Sequence, residues 1–494
     1  MSVIERMAGQ GGCLDLVSRW VFEFTLTLES AACPGAGYEG DVVDMPVLRD
    51  ADGNILLPGS SMAGGMRSHL CDRLFGYYAP EAKGSVVGDL FGPKVDPSDS
   101  RARLRQSRII VEDAYGTLPE GCSMDIRDGV KIDGKTGTAE DHKKFDFELL
   151  PPGTTFTARV EIAVDSEVEE KTLLPAAIAA LDGFTEGEIP VGARDSRGFG
   201  RCKASEWKCR RYDLSSWNGW REWLAADPKL PLEGDGSATA ESAAKSQKPD
   251  FKKNAGDKRL WMRFDLDLKC KDGLLIGSPN PDPDGPDSRH IRSGDKPILT
   301  GTGLVGAMRL QATRIATLLH KNRVGVRLVD ETFGPSLEGT SGKFTPQASR
   351  VRSEESRLEE GCFTLGETRI RIDRFTGGVF SGALLEEEPV YRSRARCRLE
   401  LRNPEKWQAG LMLLVIKDLL DGLIPVGGTV SVGRGILTGT AEISESGETG
   451  LLQGAVHIGE RLKVENEQHL EVLNGLIKAL HDWKPERAEG GAEE

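Results

Sequence analysis

The chain contains the same long pattern twice, in the same order. Residues 58–70, PGSSMAGGMRSHL, return as TGTGLVGAMRLQA at 300–312, and IPVGARDSRGFG at 189–200 returns as IPVGGTVSVGRG at 424–435. Two shorter matches lie between them, LFGP with TFGP and IDGKTG with IDRFTG. The spacing between matching residues changes only from 242 (59 to 301) to 235 (189 to 424). This period exceeds that of a solenoid repeat, so we interpret the chain as a tandem duplication of a whole domain.

The length of 494 residues suits two soluble domains with insertions. Residues 231–257 are small and polar without apolar periodicity, which predicts a flexible linker. The linker separates a first copy at 15–230 from a second copy at 258–445. Residues 446–494 hold one helical pattern followed by an acidic tail that we expect to be disordered.

Both copies show the predicted order β-α-β-β-α-β. In the first copy, strands are predicted at 20–30, 108–115, 155–164 and 197–207, and helices from residue 58 and at 173–184. In the second, strands are predicted at 260–270, 348–358, 395–402 and 434–443, and helices at 302–320 and 407–422. This order is typical of the ferredoxin-like (RRM-like) fold, an antiparallel sheet with helices on one face. The predicted fold class is therefore α+β with two tandem ferredoxin-like domains.

Several classes of protein are excluded by composition. The sequence has no run of 18 apolar residues and no basic N-terminal region followed by an apolar one, so we expect a cytoplasmic protein without a membrane partner. Nine scattered cysteines without a CxxC pair favour free thiols over a zinc site. We predict no metal-ligand set within the protein itself.

The formal net charge of −13 argues against a polyanionic partner, but the charge is unevenly distributed. Basic residues cluster at 101–108, 194–211 and 392–398, beside or near the repeated Gly-rich motifs. A solvated strand face would explain any one cluster. Their position beside the repeated loops favours a nucleic-acid interface.

Each copy contains two Gly-rich segments suited to binding phosphate. The first leads into a helix, whose N-terminal N–H groups and positive dipole end attract anions. The second, GARDSRGFG, resembles the start of the RNP1 motif but lacks its later aromatic residues, and no Walker pattern is present. The RNA-binding residues predicted from these segments are Ser60, Ser61, Arg67, Arg194, Arg197, Thr302, Arg309 and Arg434.

Together, residues 44–70, the LFGP and RIIVEDAY segments and the loop GARDSRGFG resemble the RAMP superfamily of CRISPR-associated proteins. They are most similar to backbone subunits of type III effector complexes, and the fusion of two copies resembles the type III-D branch. The resemblance implies ferredoxin-like domains that grip guide RNA along its backbone. It also implies an inserted hairpin, the thumb, that kinks the guide–target duplex, at 128–147 and 369–390.

The same resemblance implies that each copy cleaves target RNA with a loop aspartate. Asp44 occupies the position of the family's aspartate in the first copy, and Asp287 is the best match in the second, where Asp282, Asp284 and Asp295 compete. A carboxylate there can hold a divalent metal ion, expected to be magnesium, or assist attack by the RNA 2′-hydroxyl. The implied partners are guide RNA (crRNA), target RNA, the large polymerase-like subunit and other RAMP subunits.

Two other functions remain open at this level. The chain could be a structural guide-RNA-binding subunit in which one or both aspartates are inert. It could instead be a guide-processing endoribonuclease of the same superfamily, an activity that commonly uses histidine. His69 is the only histidine offered by the N-terminal strand and helix, and His290 has no counterpart near Asp44.

Overall fold

The computed structural model describes most of the chain. The described residues are 16–37, 40, 43–94, 106–133, 136, 138–248, 256–278, 285–335, 347–359, 361–447, 449–452, 454–459, 463–464 and 466–484. They form two compact units. The first unit comprises Met1–Ile126, Phe147–Asp195 and Phe199–Arg259, and the second comprises Arg127–Asp146, Ser196–Gly198 and Leu260–Glu494.

The elements in both units are as follows, in chain order. The helices are α1 Gly59–Phe75, α2 Val86–Phe91, α3 Glu167–Thr185, α4 Trp217–Ala225, α5 Ala240–Gln247, α6 Gly301–Leu319, α7 Asn322–Phe333, α8 Lys406–Leu420 and α9 Glu467–His481. The strands up to the middle of the chain are β1 Ser18–Leu28, β2 Leu56–Leu57, β3 Ile109–Val111, β4 Ala114–Thr117, β5 Asp125–Ile132, β6 Ala139–Leu149, β7 Thr155–Val164 and β8 Cys202–Asp213. The later strands are β9 Trp261–Cys270, β10 Gly277–Ser278, β11 Ser288–His290, β12 Arg292–Ser293, β13 Lys296–Leu299, β14 Val351–Ser353, β15 Ser356–Arg357, β16 Phe363–Thr364, β17 Glu367–Ile372, β18 Val379–Glu388, β19 Val390–Tyr391, β20 Arg394–Arg402, β21 Asp421–Pro425, β22 Ile436–Glu445 and β23 Val456–Ile458.

The main sheet of the first unit has β1 at its centre. Strand β1 pairs antiparallel with β7 on one side and with β8 on the other, and β3 adds to β7. The alternation of β1 sends Trp20, Phe22 and Phe24 into the core shared with α1 and α3. Such period-two alternation is what a strand covered by helices on one face requires. The predicted α+β class with antiparallel sheets is confirmed.

The second unit repeats this arrangement with β9 at the centre. Strand β9 pairs antiparallel with β20 and β22, and β14 adds to β20. Met262, Phe264, Leu266 and Leu268 point from β9 into a core shared with α6 and α8. Both main sheets therefore use the same connection order, β-α-β-β-α-β, around the strand that opens each copy.

The opposite faces of the two central strands differ. In the first unit, Val21 on β1 packs with Tyr212, Leu214 and Leu232, and Trp220 and Trp223 of α4 pack against this small cluster. In the second unit, the outward-facing residues of β20 and β9 form charge pairs, such as Arg398 with Asp265 at 2.7 Å. Much of the basic cluster predicted at 392–398 is therefore neutralised by carboxylates on the same sheet face, because opposite charges lie directly across the ladder.

The predicted linker contains a helix. Helix α5 begins with a capping box between Thr239 and Ser242. Its Ala240, Ala243 and Ala244 are at most 1% exposed and join the core of the first unit. Small residues are compatible with a linker, but on one helix face they also allow close packing, and the sequence pattern did not distinguish these two uses.

The boundaries of the compact units differ from those of the repeated copies at the hairpin β5–β6. Residues 127–146, most of that hairpin, cluster with the second unit although they belong to the first copy in sequence. Within the second unit, Arg127 forms a buried ion pair with Glu355 at 2.6 Å.

At the other end of the chain, the predicted C-terminal helix is present as α9, and Leu473, Leu476 and Leu480 pack in the second core. The predicted disordered tail lies outside the described residues from 485 onward.

Among the described residues, no helix combines the length and the apolar character that crossing a membrane requires.

Candidate nucleic-acid interface

The first Gly-rich segment forms the start of α1. Gly59 lies so close to β3 that a Cβ there would meet the Val111 carbonyl oxygen at 2.1 Å, so only glycine fits. Its N–H donates to Asp113 Oδ1 at 2.7 Å, which occupies one of the donors that we expected to face an anion. Ser60 and Ser61 follow in the first turn and are exposed.

The second copy begins α6 in the same way. A Cβ on Gly301 would meet a backbone oxygen at 2.3 Å. Thr300 caps the helix by accepting from Gly303 N at 3.2 Å, whereas Pro58 at the equivalent position of α1 has no capping side chain. Thr302 is half-buried in the first turn.

Arg67 and Arg309 are both engaged by carboxylates of the protein. The Arg67 guanidinium contacts both oxygens of Glu81, the nearest at 2.9 Å. Arg309 donates to Asp330 Oδ1 at 2.6 Å and to the Gly334 carbonyl. These pairs tie each helix to the segment that follows it. The RNA-binding role of the two arginines stays a prediction, and phosphate contact would have to compete with these carboxylates.

The second Gly-rich segments form two loops with the same backbone hydrogen bonds. Val191 N donates to the Gly200 carbonyl at 2.8 Å, and Val426 N donates to that of Gly435 at 2.9 Å. A Cβ on Gly192 or Gly427 would lie 2.4 Å from a backbone oxygen, and both glycines have positive φ. The repeated glycines therefore have a structural cause, which is close approach of the loop to a neighbouring backbone segment.

The predicted arginines of these loops lie in three different environments. Arg194 has a φ of 63° and places its guanidinium 4.7 Å from the centre of the Phe147 ring. Arg197 ends a short 3₁₀ turn and is half-buried. Arg434 is only 4% exposed and bonds to Glu387 and Glu367. Of the three, Arg434 is the least accessible to RNA.

Asp44 is exposed in the loop before α1. The next residue, Met45, forms a parallel bridge with Phe147 at the end of β6, and Glu148 N donates to the Met45 carbonyl at 3.0 Å. Glu148 also accepts from Val47 N at 3.0 Å. The loop that carries Asp44 is thus fastened to the strand that returns from the hairpin β5–β6.

Asp287 is exposed at the start of β11. Strand β11 runs parallel to β18, with Ser288 opposite Glu387. The carboxylate Oδ2 of Asp287 accepts a hydrogen bond from Glu386 N at 2.9 Å. This loop is fastened to the strand that returns from the hairpin β17–β18.

The pairing register identifies Asp287 as the counterpart of Asp44. The residue after each aspartate, Met45 or Ser288, pairs with Phe147 or Glu387, respectively. Three residues further on, the returning strand forms another matching bridge in each copy, of Leu150 with Ala32 and of Val390 with Leu274. The competing candidate Asp295 lies in the turn between β12 and β13, and Asp282 and Asp284 lie outside the described residues.

Both histidines that we considered are buried. His290 is 2% exposed, with Nε2 bonded to the Ile298 carbonyl at 2.9 Å and Nδ1 close to Ile276 N. Burial lowers its pKa to about 4, and burial also lowers the pKa of His69 to about 4. The His290 imidazole is neutral and bonded to the backbone, so it stabilises its loop. His69 lies inside α1 with Nδ1 3.7 Å from Glu188, and neither buried ring is exposed for acid–base chemistry.

Among the described residues, metal-capable side chains form no group of three at either aspartate. In the part of the chain that the structure describes, the group of three such side chains is His69, Glu186 and Glu188. Glu188 is already paired with Arg259 at 2.6 Å, and Arg73 lies 3.7 Å from Glu186, so two guanidinium groups oppose a cation there. Asp44 and Asp287 each contribute one carboxylate, which suits a magnesium ion shared with RNA phosphates rather than one held by the protein alone.

Our sequence reasoning missed one pair of contacts in each copy. Phe147 meets Phe199 edge to face, with ring centres 5.7 Å apart. The residues at the same places in the second copy are Glu387 and Arg434, bonded at 2.7 Å. The sequence did contain a signal for these contacts. When the two copies are aligned, the aromatic pair Phe147 and Phe199 is replaced by the oppositely charged pair Glu387 and Arg434.

Comparison with known proteins agrees with the duplication. The model of the RAMP superfamily matches residues 25–203 and 267–438, well over half of the chain. The protein therefore belongs to the RAMP superfamily, and it carries the family pattern twice in tandem.

The chain is similar to a curated sequence and to a solved structure, among others. The CRISPR system Cms endoribonuclease Csm3 of Methanocaldococcus jannaschii is 29% identical over an alignment of 245 residues, and the alignment covers 46% of this chain and 90% of that protein. A solved chain from the Csm3-Csm4 subcomplex in the type III-A CRISPR-Cas interference complex is 20% identical, with a TM-score of 0.30. The match covers 48% of this chain and 98% of that chain.

Proposed function

We propose that this protein is a fused pair of backbone subunits of a type III CRISPR ribonucleoprotein. In this proposal each copy is a ferredoxin-like domain whose inserted hairpin, β5–β6 or β17–β18, is the thumb. Each copy binds one segment of guide RNA and cleaves complementary target RNA at one site. Membership of the RAMP superfamily and the similarity to a protein labelled an endoribonuclease support this function.

The observation that carries the proposal is the matched position of two exposed carboxylates. Asp44 and Asp287 precede equivalent strand pairings, although the sequences around them differ. A carboxylate can accept the proton of a 2′-hydroxyl as that oxygen attacks the adjacent phosphate. The bond from phosphorus to the 5′-oxygen of the next nucleotide then breaks, which leaves a 2′,3′-cyclic phosphate and a 5′-oxygen that takes a proton from water. Because Oδ2 of Asp287 is held by Glu386 N, we assign the reaction to its other oxygen.

A divalent ion would supply charge stabilisation at the phosphate undergoing attack. We expect Asp44 or Asp287 to contribute one ligand and the RNA to contribute the others, since magnesium sites often combine one or two carboxylates with substrate phosphates. The protein orients the reacting 2′-hydroxyl through the loop that carries the aspartate, and the returning strand of each hairpin holds that loop in place.

Guide RNA is proposed to follow the starts of α1 and α6 and the two Gly-rich loops. Ser60, Ser61 and Thr302 lie in first helical turns, where N–H groups and the helix dipole favour phosphate. Arg194 and Arg197 add positive charge in the first copy. Contacts of this type read the backbone and not the base sequence, so binding should weaken with salt and depend little on guide sequence.

The decisive experiment uses the purified ribonucleoprotein and a complementary target RNA. Asp44→Ala should abolish one cut and Asp287→Ala a second cut, while guide RNA is retained in both variants. Asp52→Ala and Asp295→Ala are matched controls, because each replaces an exposed aspartate eight residues after the candidate in sequence. Chelation of divalent ions, or a deoxynucleotide at the cut, should block cleavage.

If the double variant still produces both fragments, the nuclease assignment is wrong. The chain would then be a structural RNA-binding subunit. Guide processing is disfavoured by the burial of His69. Loss of one fragment only would assign catalysis to a single copy.

Guide binding has a separate test. Replacing Arg194 and Arg197 together with alanine should reduce the amount of RNA retained after a high-salt wash, whereas Arg221→Ala on the exposed surface of α4 should not. Equal retention in the double variant and the control would show that the loop only packs against the protein.

A further inference from the structure

The second copy contains a buried ion-pair network at the base of its hairpin. Arg434, from the Gly-rich loop, donates to Glu387 Oε2 at 2.7 Å and to Thr429 Oγ1 at 3.1 Å. Its other amino group bonds to Glu367 on β17. Arg434 is 4% exposed and Glu387 is 8% exposed. The network therefore fastens both hairpin strands to the loop, through the buried Glu387 on β18 and the half-buried Glu367 on β17.

This network lies one residue from the hydrogen bond that holds Asp287. Glu387 follows Glu386, whose N–H donates to Asp287 Oδ2 at 2.9 Å. Strand β18 also carries β11, the strand that Asp287 precedes, through the parallel pair Ser288 and Glu387. Because neighbouring residues of a strand move together, an anchor at Glu387 fixes the backbone donor that orients Asp287.

We propose that Arg434 is a positioning residue for Asp287, and not an RNA ligand. This inference rests on the proposed nuclease function of Asp287. Arg434 would act through Glu387 and β18, keeping the carboxylate in its reactive orientation. Its guanidinium already bonds to two carboxylates and a hydroxyl, an arrangement that leaves it poorly placed to bind a phosphate.

The first copy provides an internal comparison. At the corresponding place, Phe147 packs against Phe199 with an interplanar angle of 81°, and Arg194 covers Phe147. The hairpin strand is anchored here by an aromatic contact. The cut assigned to Asp44 should therefore be indifferent to changes at Arg434.

The test uses Arg434→Met in the full chain, assembled with guide RNA. The second-copy cut should slow roughly 100-fold at saturating target, the scale expected when a reacting group is displaced by about 1 Å. The first-copy cut, target affinity and guide retention should not change. Asp287→Ala in a parallel preparation shows independently whether the second cut belongs to that residue.

Each alternative gives a different result. If Asp287→Ala removes the second cut but Arg434→Met leaves its rate intact, the positioning role is overturned. Reduced guide retention in Arg434→Met, with retention unchanged in Asp287→Ala, would make Arg434 an RNA ligand and also overturn it. If Asp287→Ala leaves both cuts, the proposed function fails, whatever Arg434 does.

A milder variant covers the case in which Arg434→Met does not fold. Glu387→Gln keeps the shape and an acceptor oxygen but removes the charge. It should reduce the rate of the second cut by less than Arg434→Met and leave the first cut unchanged. An unchanged rate of the second cut in a folded Glu387→Gln protein would overturn the positioning role. Arg434→Lys should also slow the second cut, since lysine retains the charge but loses the forked contact to two carboxylates.

Discussion

The bases of the two hairpins have the same backbone arrangement but opposite chemistry. In the first copy, Phe147 and Phe199 form an apolar contact covered by Arg194. In the second, Glu387 and Arg434 form a buried ion pair. The paired strands and the loop hydrogen bonds match in both. The difference shows that the backbone frame defines the site, while the side chains that hold the frame can be exchanged as a pair.

The two solutions have different energetic weaknesses. An aromatic contact depends on filling its volume, so loss of one ring leaves a cavity. A buried ion pair gains little net stability because desolvation opposes it, but removal of one partner leaves an uncompensated charge. The comparison therefore predicts distinct responses to matched substitutions in the two copies.

The largest effect is expected in the aromatic contact. Phe199→Ala should lower the free energy of unfolding of the first unit by about 4 kcal/mol, because Phe199 is buried and its removal leaves a cavity. Phe199→Leu, which keeps most of the volume, should cost about 1 kcal/mol. Urea unfolding followed by tryptophan fluorescence measures both. Equal costs for the two variants would show that the contact does not depend on packing.

The ion pair should respond to charge and not to volume. Glu387→Ala should destabilise the second unit by about 3 kcal/mol at most, since Arg434 loses its buried partner and keeps the half-buried Glu367. Replacing both residues, as Glu387→Leu with Arg434→Met, should recover much of this loss. Denaturant midpoints of the single and double variants test the point. A double variant no more stable than the single one would mean that Glu367 alone dominates Arg434.

The shared backbone frame should be equally sensitive in both copies. Gly192→Ala and Gly427→Ala each place a Cβ 2.4 Å from a backbone oxygen at a positive φ, so each should cost about 2 kcal/mol or more. Gly433→Ala is the control, because φ is positive there but nothing lies within 4 Å, and it should cost about 1 kcal/mol. Thermal unfolding of the three variants gives the order. A cost confined to one copy would break the equivalence of the two loops.

The smallest effect concerns pH. His69 and His290 have folded-state pKa values of about 4, lowered mainly by burial. The unfolded chain therefore binds more protons below about pH 6.5, and stability is lost as the pH falls from there towards 4. Lowering the pH from 6.5 to 5.5 should cost each unit about 1 kcal/mol.

The bond between Arg434 and Glu367 should remain intact over that interval. Hydrogen bonds, the largest from Tyr391 and a further one from Arg434, lower the pKa of Glu367, so this carboxylate stays charged as the histidines begin to protonate. His290→Gln should remove the pH dependence from the second unit and leave that of the first. Unfolding at pH 7 and pH 5.5 provides the measurement. If the second unit still loses stability at pH 5.5 in this variant, acid acts on another group.

The sequence by itself determined the large-scale plan. Four colinear matches predicted the duplication, and alternating apolar residues predicted the central strands, because period-two burial follows directly from strand geometry. The strand prediction at 155–164 coincides with β7. The second helix of the first copy starts earlier than predicted, at Glu167 and not at residue 173, because Ser166 caps it by accepting from Glu169 N.

Only the tertiary structure decided which charged groups are available. Arg67, Arg309 and Arg434 look alike as basic residues beside Gly-rich motifs, but each faces a carboxylate brought from elsewhere in the chain. Tertiary structure also decided that Asp287 is the counterpart of Asp44. This assignment rests on the pairing of Ser288 with Glu387, which lies about 100 residues further along the chain. Local patterns follow from local geometry and can be read along the chain, whereas ion pairs and register depend on which distant segments meet when the core closes.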